Sequence, residues 1–212
     1  VDASGEPQGR APISSRSPIP GRDVRLSIDS STQRALEASL ADAAAVTGAT
    51  GAAGVALDPN TGEVLALASY PAFSPETFVT RKQKPIEKLL TDPQQPLNDR
   101  AIAGVYPAGS TFKPITAAAA MRQGDLTPST ELESPSSIVL HKQRFKNFEE
   151  NSHGIITLPY ALRVSSDTFF YQVADELWRD QINSNSYPLQ DEAKRFGLGA
   201  DTGIDLPGES AA

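Results

Sequence analysis

Frequent interruption by proline and glycine is the feature that most limits what this chain can fold into. Its 212 residues include 17 prolines and 15 glycines, which favour turns and interrupt helices and strands. A chain of this length can still bury about two-thirds of its unfolded surface, so a packed core is expected. The sequence therefore predicts one loop-rich domain, or part of one, built from short elements.

Apolar alternation and turn residues predict where the strands lie. Residues 1–23 are rich in proline and glycine and have little apolar periodicity, so we expect an extended entering segment or linker. Apolar and polar residues alternate over 24–28, which predicts a half-buried strand. Two apolar runs, 54–57 and 64–68, flank the turn-forming residues 58–62 and predict a β-hairpin.

Helical spacing of apolar residues predicts several helices. An alanine-rich amphipathic helix follows Asp29 and ends near Gly48, where glycine favours termination. Further helices are predicted at residues 115–122 (beginning at or just after Ser110), 158–164, 168–178 and 191–196. Residues 70–100 are predicted to be irregular, and residues 125–153 to be loop with short strands. These elements predict an α/β (α+β) fold in which an antiparallel sheet carries packed helices.

Charge and residue types exclude several functions. The formal net charge of −7 opposes binding to the phosphates of nucleic acid. The absence of cysteine excludes thiol catalysis, disulfides and cysteine-ligated zinc. His141 and His153 are the only histidines, so no multi-histidine metal site can form; a carboxylate-only site stays open, and no cofactor is predicted. No apolar stretch of 18 residues and no signal segment occurs, so any membrane anchor is expected outside this sequence.

The main candidate for chemistry is a Ser-x-x-Lys sequence, Ser110 to Lys113, at a predicted helix start. Residues three apart on a helix share a face, so the lysine amine can reach the serine hydroxyl as a nucleophile and base require. The helix N-terminus would favour negative charge developing on an attacked carbonyl oxygen. The plainer interpretation is a serine cap and a solvated lysine, and lysine acts as a base only when desolvated or placed near another cation.

Four sequence blocks resemble class B penicillin-binding proteins. Residues 106–114 (YPAGSTFKP), preceded by PLNDRAIAGV, resemble the family's active-serine motif, and residues 164–172 (VSSDTFFYQ) resemble its second motif, usually Ser-x-Asn. Residues 58–75 (DPNTGEVLALASYPAFSP) and 197–210 (GLGADTGIDLPGES) resemble two further blocks in the expected order. Asp167 replaces the commoner asparagine, as it does in the elongation-type subgroup. Together the blocks cover most of residues 22–210.

The resemblance implies a peptidoglycan D,D-transpeptidase with four catalytic residues. Ser110 would attack the penultimate D-Ala carbonyl of a stem peptide, with Lys113 as proton acceptor, and β-lactams would acylate the same serine. Ser165 would relay protons between Lys113 and the leaving nitrogen, while Asp167 would orient Lys113 or the substrate amide. A carboxylate beside Lys113 would also hold the amine protonated, so these groups are expected to titrate together. A membrane-anchored protein outside the cytoplasmic membrane, working with a glycan-polymerising membrane partner, is also implied.

The family's third motif, Lys-Thr-Gly or Lys-Ser-Gly on a strand at the site, does not occur in this sequence. In the family that strand follows the Gly-Ile-Asp-Leu-Pro-Gly-Glu block, close to which this sequence stops. We therefore expect residues 24–212 to be the N-terminal portion of a transpeptidase domain whose remainder lies elsewhere, and we do not expect turnover by this chain alone.

Several alternatives stay open at this point. A serine β-lactamase shares Ser-x-x-Lys, and a penicillin-recognising sensor or inactive interaction module could keep the acylation site without turnover. The Ser-Ser-Asp sequence could simply cap a helix beginning at Thr168, and His153 could belong to a triad, although its surroundings favour a turn. Other conspicuous side chains are interpreted as core or groove wall (Phe169, Phe170, Tyr171), packing (Trp178) and a solvated face (Arg81, Lys82, Lys84, Lys88).

Overall fold

The computed structural model describes residues 19–80 and 82–210, so the predictions for residues 1–18 and Arg81 lie outside it. The α-helices of the described part are α1 Ser30–Thr47, α2 Glu76–Val79, α3 Gln83–Leu90, α4 Arg100–Ala103, α5 Lys113–Gln123, α6 Leu158–Arg163, α7 Asp167–Ser184 and α8 Pro188–Arg195. Its strands are β1 Ala52–Leu57, β2 Val64–Tyr70, β3 Glu131–Ser134, β4 Ser137–Leu140, β5 Gln143–Lys146 and β6 Gly154–Thr157. Within these ranges no helix is long and apolar enough to cross a membrane.

The predicted hairpin is present as the antiparallel pair β1–β2. The Asp58 side chain accepts hydrogen bonds from the backbone N–H groups of Asn60 and Thr61, and these bonds lower the pKa of the Asp58 carboxyl. Gly62 supplies the positive φ, +77°, that the turn requires. Local turn chemistry therefore sets the hairpin, and α1 packs across it.

The predicted strand at residues 24–28 is wrong. This segment has no regular structure, and Val24 and Leu26 are 81% and 68% exposed. Alternation produces a strand only where a neighbouring strand pairs with the backbone along its length. Here the chain reaches the outer edge of β2 just before α1, where Ser27 Oγ donates to Val64 O at 2.7 Å and Asp29 N donates to Leu65 O at 2.9 Å. Further along this edge the Gln33 side chain takes the place of a strand: its Nε2 donates to Leu67 O at 2.9 Å and its Oε1 accepts from Leu67 N at 2.8 Å. The described strands consequently form three separate two-stranded sheets, β1–β2, β3–β6 and β4–β5, rather than one larger sheet.

The helix predictions are largely confirmed, with three omissions. Helices α1, α5, α6, α7 and α8 lie where periodicity placed them, although α7 continues to Ser184. The segment predicted to be irregular contains the short helices α2 and α3, and α4 begins at its last residue. Pro75 and Pro85, which favoured a loop in the sequence, lie at the N-cap of α2 and in the first turn of α3, where a helix tolerates proline.

The hydrophobic core lies between α5, α6, α7 and the β3–β6 pair. Phe169 and Leu177 of α7 are 0% and 2% exposed, and the small side chains of Ala117 and Ala120 let α5 approach this helix closely. Alanine is also a strong helix former, so one residue type gives α5 both its helical preference and its close packing. The core thereby fixes α5, whose first turn follows Ser110.

An ion pair joins the end of α5 to α8. Arg122 Nε lies 2.6 Å from Glu192 Oε2, and the Glu192 side chain is only 4% exposed. The hydrogen bond from Arg122 lowers the pKa of the Glu192 carboxyl, against the opposing effect of burial. A lowered pKa means that this carboxylate stabilises the fold above its ordinary pKa and loses that contribution as the pH falls through the lowered value.

Replacing Glu192 with glutamine is therefore expected to lower the melting temperature at neutral pH, because Arg122 loses its charged partner. The difference from the unaltered protein should shrink as the pH falls below about 4, where the carboxylate itself becomes protonated. Thermal denaturation across this pH range measures the effect, and Glu87→Gln on the exposed face of α3 is the matched control. A difference that stays constant with pH would contradict a contribution from the charge of Glu192.

Candidate active site

Ser110 lies in a single 3₁₀ turn, Gly109–Phe112, that leads directly into α5. Gly109 has φ +56°, a conformation that favours glycine and lets the chain enter the turn after Pro107. The predicted helix start at or just after Ser110 is confirmed, and the Ser110 side chain is exposed to solvent. The turn places a hydroxyl at the head of a helix, where substrate can approach it.

The amine of Lys113 is held by the loop that precedes α7. Lys113 Nζ donates to Ser165 O at 2.6 Å, to Ser165 Oγ at 3.0 Å and to Asp167 Oδ1 at 2.6 Å. The side chain of Lys113 is only 11% exposed, and its Nζ also lies 5.7 Å from the centre of the Phe170 ring. These three acceptors match the three donors of an ammonium group. The predicted contact between Lys113 and Asp167 is thus confirmed.

The predicted contact between the Lys113 amine and the Ser110 hydroxyl is not made in this conformation. All the hydrogen bonds that Lys113 Nζ makes within the described residues go to Ser165 and Asp167. A carboxylate accepts a stronger hydrogen bond from an ammonium than a neutral hydroxyl does, so Asp167 is the preferred partner. The catalytic roles of Ser110, Lys113, Ser165 and Asp167 stay predictions.

Two neighbouring residues of the Ser-Ser-Asp loop divide the capping and electrostatic roles. Ser166 is the N-cap of α7, where its Oγ accepts a hydrogen bond from Phe169 N at 3.2 Å. Asp167 lies in the first helical turn and faces Lys113 instead. The capping interpretation therefore applies to Ser166, and it leaves Asp167 available for the contact with Lys113.

The remaining candidate side chains are structural in this conformation. Phe169 and Phe170 are buried as predicted, Tyr171 packs against Phe145, and Trp178 packs edge-on against His141. His153 uses its backbone N–H to pair with Ser134 O at 2.8 Å. The described residues of the basic segment, Lys82, Lys84 and Lys88, are exposed as a solvated face would be. Across residues 19–80 and 82–210, no group of three histidine, aspartate or glutamate side chains is placed to hold a metal ion.

A set of buried polar residues behind the Ser-Ser-Asp loop was not predicted from the sequence. Ser134, Asn147 and Thr168 are at most 2% exposed and are hydrogen-bonded to one another. Isolated serines, threonines and asparagines are common in loops, and nothing in the local sequence distinguishes these from exposed ones.

A helix headed by Ser-x-x-Lys that faces a Ser-x-Asp loop is the arrangement of the first two motifs in the penicillin-binding class of serine proteins. Residues 52–212 match the family described as penicillin binding protein transpeptidase domain, and the chain belongs to this family.

Curated relatives and solved structures agree with this assignment. Peptidoglycan D,D-transpeptidase MrdA of Acinetobacter baumannii is 37% identical over 198 residues, covering 92% of this chain and 27% of that protein. MrdA of Escherichia coli K12 is 38% identical over 195 residues, covering 91% of this chain and 29% of that protein. The chain thus spans less than a third of the length of these relatives.

Three solved structures share the fold. Pseudomonas aeruginosa PBP2 in complex with WCK 5153 has a TM-score of 0.76 at 35% identity, and the match covers 92% of this chain and 42% of that chain. A peptidoglycan synthase complex, solved for its structural coordination of polymerization and crosslinking, has a TM-score of 0.75 at 35% identity, and the match covers 92% of this chain and 35% of that chain. The penicillin G acyl-enzyme complex of penicillin-binding protein A from M. tuberculosis has a TM-score of 0.74 at 28% identity, and the match covers 88% of this chain and 42% of that chain. The resemblance to elongation-type class B proteins and the α/β class are both confirmed.

Proposed function

We propose that this chain supplies the acylating serine of a peptidoglycan D,D-transpeptidase that cross-links stem peptides. The observation that carries the proposal is the amine of Lys113, held within 3.0 Å of both Ser165 Oγ and Asp167 Oδ1 and one turn after the exposed Ser110. A nucleophile, a largely buried amine and a second hydroxyl close to one another are the parts that acyl transfer through a covalent serine ester requires. The relatives named D,D-transpeptidase support this choice of reaction.

The reaction forms one covalent bond to Ser110 in its first half and breaks that bond in its second half. Ser110 Oγ attacks the carbonyl carbon of the penultimate D-Ala, the C–N bond to the terminal D-Ala breaks, and that residue leaves with a proton on its nitrogen. An amine of a neighbouring stem peptide then attacks the ester, which forms the cross-link and returns the hydrogen to Ser110 Oγ. A β-lactam takes the place of the first substrate, because its strained amide is opened by the same attack while the leaving nitrogen stays attached.

Proton transfer in this mechanism depends on the partners of Lys113. With three acceptors around it, Nζ is arranged as an ammonium, which has no free electron pair to accept the proton of Ser110. Lys113 can act as a base only after one of these protons has left, and Asp167 Oδ1, 2.6 Å away, holds and orients the amine. Ser165 Oγ, 3.0 Å from Nζ, is placed to carry a proton onward to the leaving nitrogen.

The proposal extends to binding partners and location. A neighbouring structure of penicillin G bound as an acyl-enzyme supports β-lactam acylation here, and a neighbouring peptidoglycan synthase complex supports a glycan-polymerising partner. The substrate of such a reaction lies outside the cytoplasmic membrane, so we place this domain there, anchored by a segment outside this sequence. Residues 24–212 would then be the N-terminal portion of the transpeptidase domain, preceded by an entering segment.

Labelling with a fluorescent penicillin tests the proposal. The protein encoded by the complete gene is incubated with the reagent, and the label is followed over time by denaturing gel electrophoresis and located by peptide mass spectrometry. One lasting label per chain, on Ser110, is the expected result, because a transpeptidase acyl-enzyme of this kind has no group dedicated to its hydrolysis. Rapid loss of the label would instead identify a serine β-lactamase, and no labelling would identify an inactive module.

A further inference from the structure

The loop that carries Ser165 and Asp167 has two faces with different surroundings. Ser165 and Asp167 turn towards Lys113, whereas the alternate residues, Ser166 and Thr168, point into the protein and are 1% and 0% exposed. The inward pair cannot reach solvent, so buried partners must satisfy its polar atoms. The identity of these partners decides how the loop is held.

Ser134, at the end of β3, supplies one partner for both inward residues. Its Oγ lies 2.7 Å from Ser166 Oγ and 3.0 Å from Thr168 Oγ1, and Ser134 itself is 0% exposed. Thr168 Oγ1 also donates to Pro135 O at 3.0 Å. The first turn of α7 is thereby tied to the segment that joins β3 and β4.

Asn147, directly after β5, holds the backbone of the same turn. Its Oδ1 accepts a hydrogen bond from Thr168 N at 2.8 Å, a helix N-terminal donor that has no acceptor within α7. Its Nδ2 donates to Pro135 O at 3.0 Å and to Asn151 O at 2.8 Å. Asn147 is 2% exposed, and a single rigid amide therefore connects the loop after β5 to the start of α7.

The loop needs such support because its backbone is strained next to the site. Ser165 has φ +54°, a left-handed conformation that is unfavourable for a residue with a side chain. Conformations of this kind persist where the surrounding structure over-determines them. This conformation brings both Ser165 O and Ser165 Oγ to Lys113 Nζ.

We propose that Asn147 and Ser134 are positioning residues for the acyl-transfer site. They hold Ser166 and Thr168 inward, and because the chain is continuous, this fixes Ser165 and Asp167 in their contact with Lys113. The inference rests on the proposed function, since it assigns these two buried residues to the geometry of that same site. Among the described residues, neither side chain hydrogen-bonds to Ser110 or Lys113, so each acts through the loop.

Substitutions behind the loop test this role in the protein encoded by the complete gene. Asn147→Ala should slow acylation by saturating fluorescent penicillin about 100-fold, the effect of displacing a reacting group by roughly 1 Å. Thr168→Val, which removes the hydroxyl but keeps the shape, should slow acylation about tenfold, and Thr168→Ser should restore it. Val173→Ala, further along α7 in the core, is the control: it should lower the melting temperature and leave the acylation rate unchanged.

A general loss of stability is separated from loss of position by two readouts. The pH dependence of acylation should change in Asn147→Ala and Thr168→Val, because the contact between Lys113 and Asp167 is loosened, and should be unaltered in Val173→Ala. If Asn147→Ala fails to fold, the pair at Thr168 gives the answer alone. Variants that acylate at the unaltered rate and with the unaltered pH profile would overturn the inference.

A measurement without penicillin separates this inference from the proposed function. The reactivity of the Lys113 amine towards acetic anhydride, read by mass spectrometry against the exposed Lys194, should rise several-fold in Asn147→Ala, since Lys113 is only 11% exposed and ion-paired in the intact site. Unchanged reactivity would overturn the positioning role. An unaltered protein that takes up no penicillin would instead overturn the proposed function, while this reactivity would still report on the loop.

Discussion

Ser110→Ala is expected to abolish covalent labelling by penicillin and to leave the melting temperature within about 4 °C of its original value. Under the proposed function the hydroxyl is the nucleophile, so its removal should leave nothing to form the ester, whereas its contribution to folding should be small. Ser110 is exposed and precedes α5 without capping it, and even a serine that caps a helix contributes only about 1–2 kcal/mol. Gel fluorescence and thermal denaturation of the protein encoded by the complete gene measure the two effects.

Ser39→Ala, on the exposed side of α1, is the matched control for Ser110→Ala and should keep full labelling. A Ser110→Ala protein that still takes up the label at the original rate would identify another nucleophile. Loss of the label together with a large fall in melting temperature would show that Ser110 is needed for folding, which its exposed position does not predict.

Asp167→Asn is expected to change the pH dependence of acylation, because it removes the charge that faces Lys113 while keeping the size of the side chain. The carboxylate of Asp167, 2.6 Å from Lys113 Nζ, favours the charged form of the amine, so acylation by the unaltered protein should fall steeply on the acidic side. The asparagine variant lacks this charge and should show a shallower acidic limb. Its amide can still hydrogen-bond to Lys113, so acylation should persist, and the change expected is in the shape of the pH profile.

Asp175→Asn is the control for losing a carboxylate from the same helix. Asp175 is 8% exposed and pairs with His141 and Arg179, away from Lys113, so its replacement should lower stability and keep the shape of the pH profile. Stopped-flow acylation from about pH 5 to pH 9 provides the comparison. A pH profile for Asp167→Asn that matches that of the unaltered protein would show that the charge of Asp167 has no effect on acylation.

The parts of the site that the sequence could predict are those with local patterns. Ser110 and Lys113 are three residues apart beside Pro107 and Gly109, so sequence alone places them on one face of a helix start. Their pairing with Ser165 and Asp167 came from the resemblance of the two motifs to one family, because nothing in the spacing of 52 and 54 residues predicts contact.

The incorrect and missing predictions depend on tertiary contacts. Residues 24–28 alternate like a strand, but Gln33 occupies the edge of β2, and no sequence pattern shows that a helical side chain will do so. Asn147 and Ser134 likewise look like ordinary loop residues, and their burial follows from how β3 and β5 pack against α7. Polar residues whose partners lie far along the chain are the ones that local reasoning misses.

The two edges of the β1–β2 hairpin are not equivalent. By bonding to both Leu67 N and Leu67 O, the Gln33 side chain behaves like a short piece of strand on the outer side of β2, and the Asp29 N–H bonds to Leu65 O further along the same edge. Within residues 19–80 and 82–210, no hydrogen bond from outside the hairpin reaches the backbone of β1, whose Val55 and Leu57 are 47% and 56% exposed. A strand that extends this sheet, from the same polypeptide or another, is therefore expected along β1.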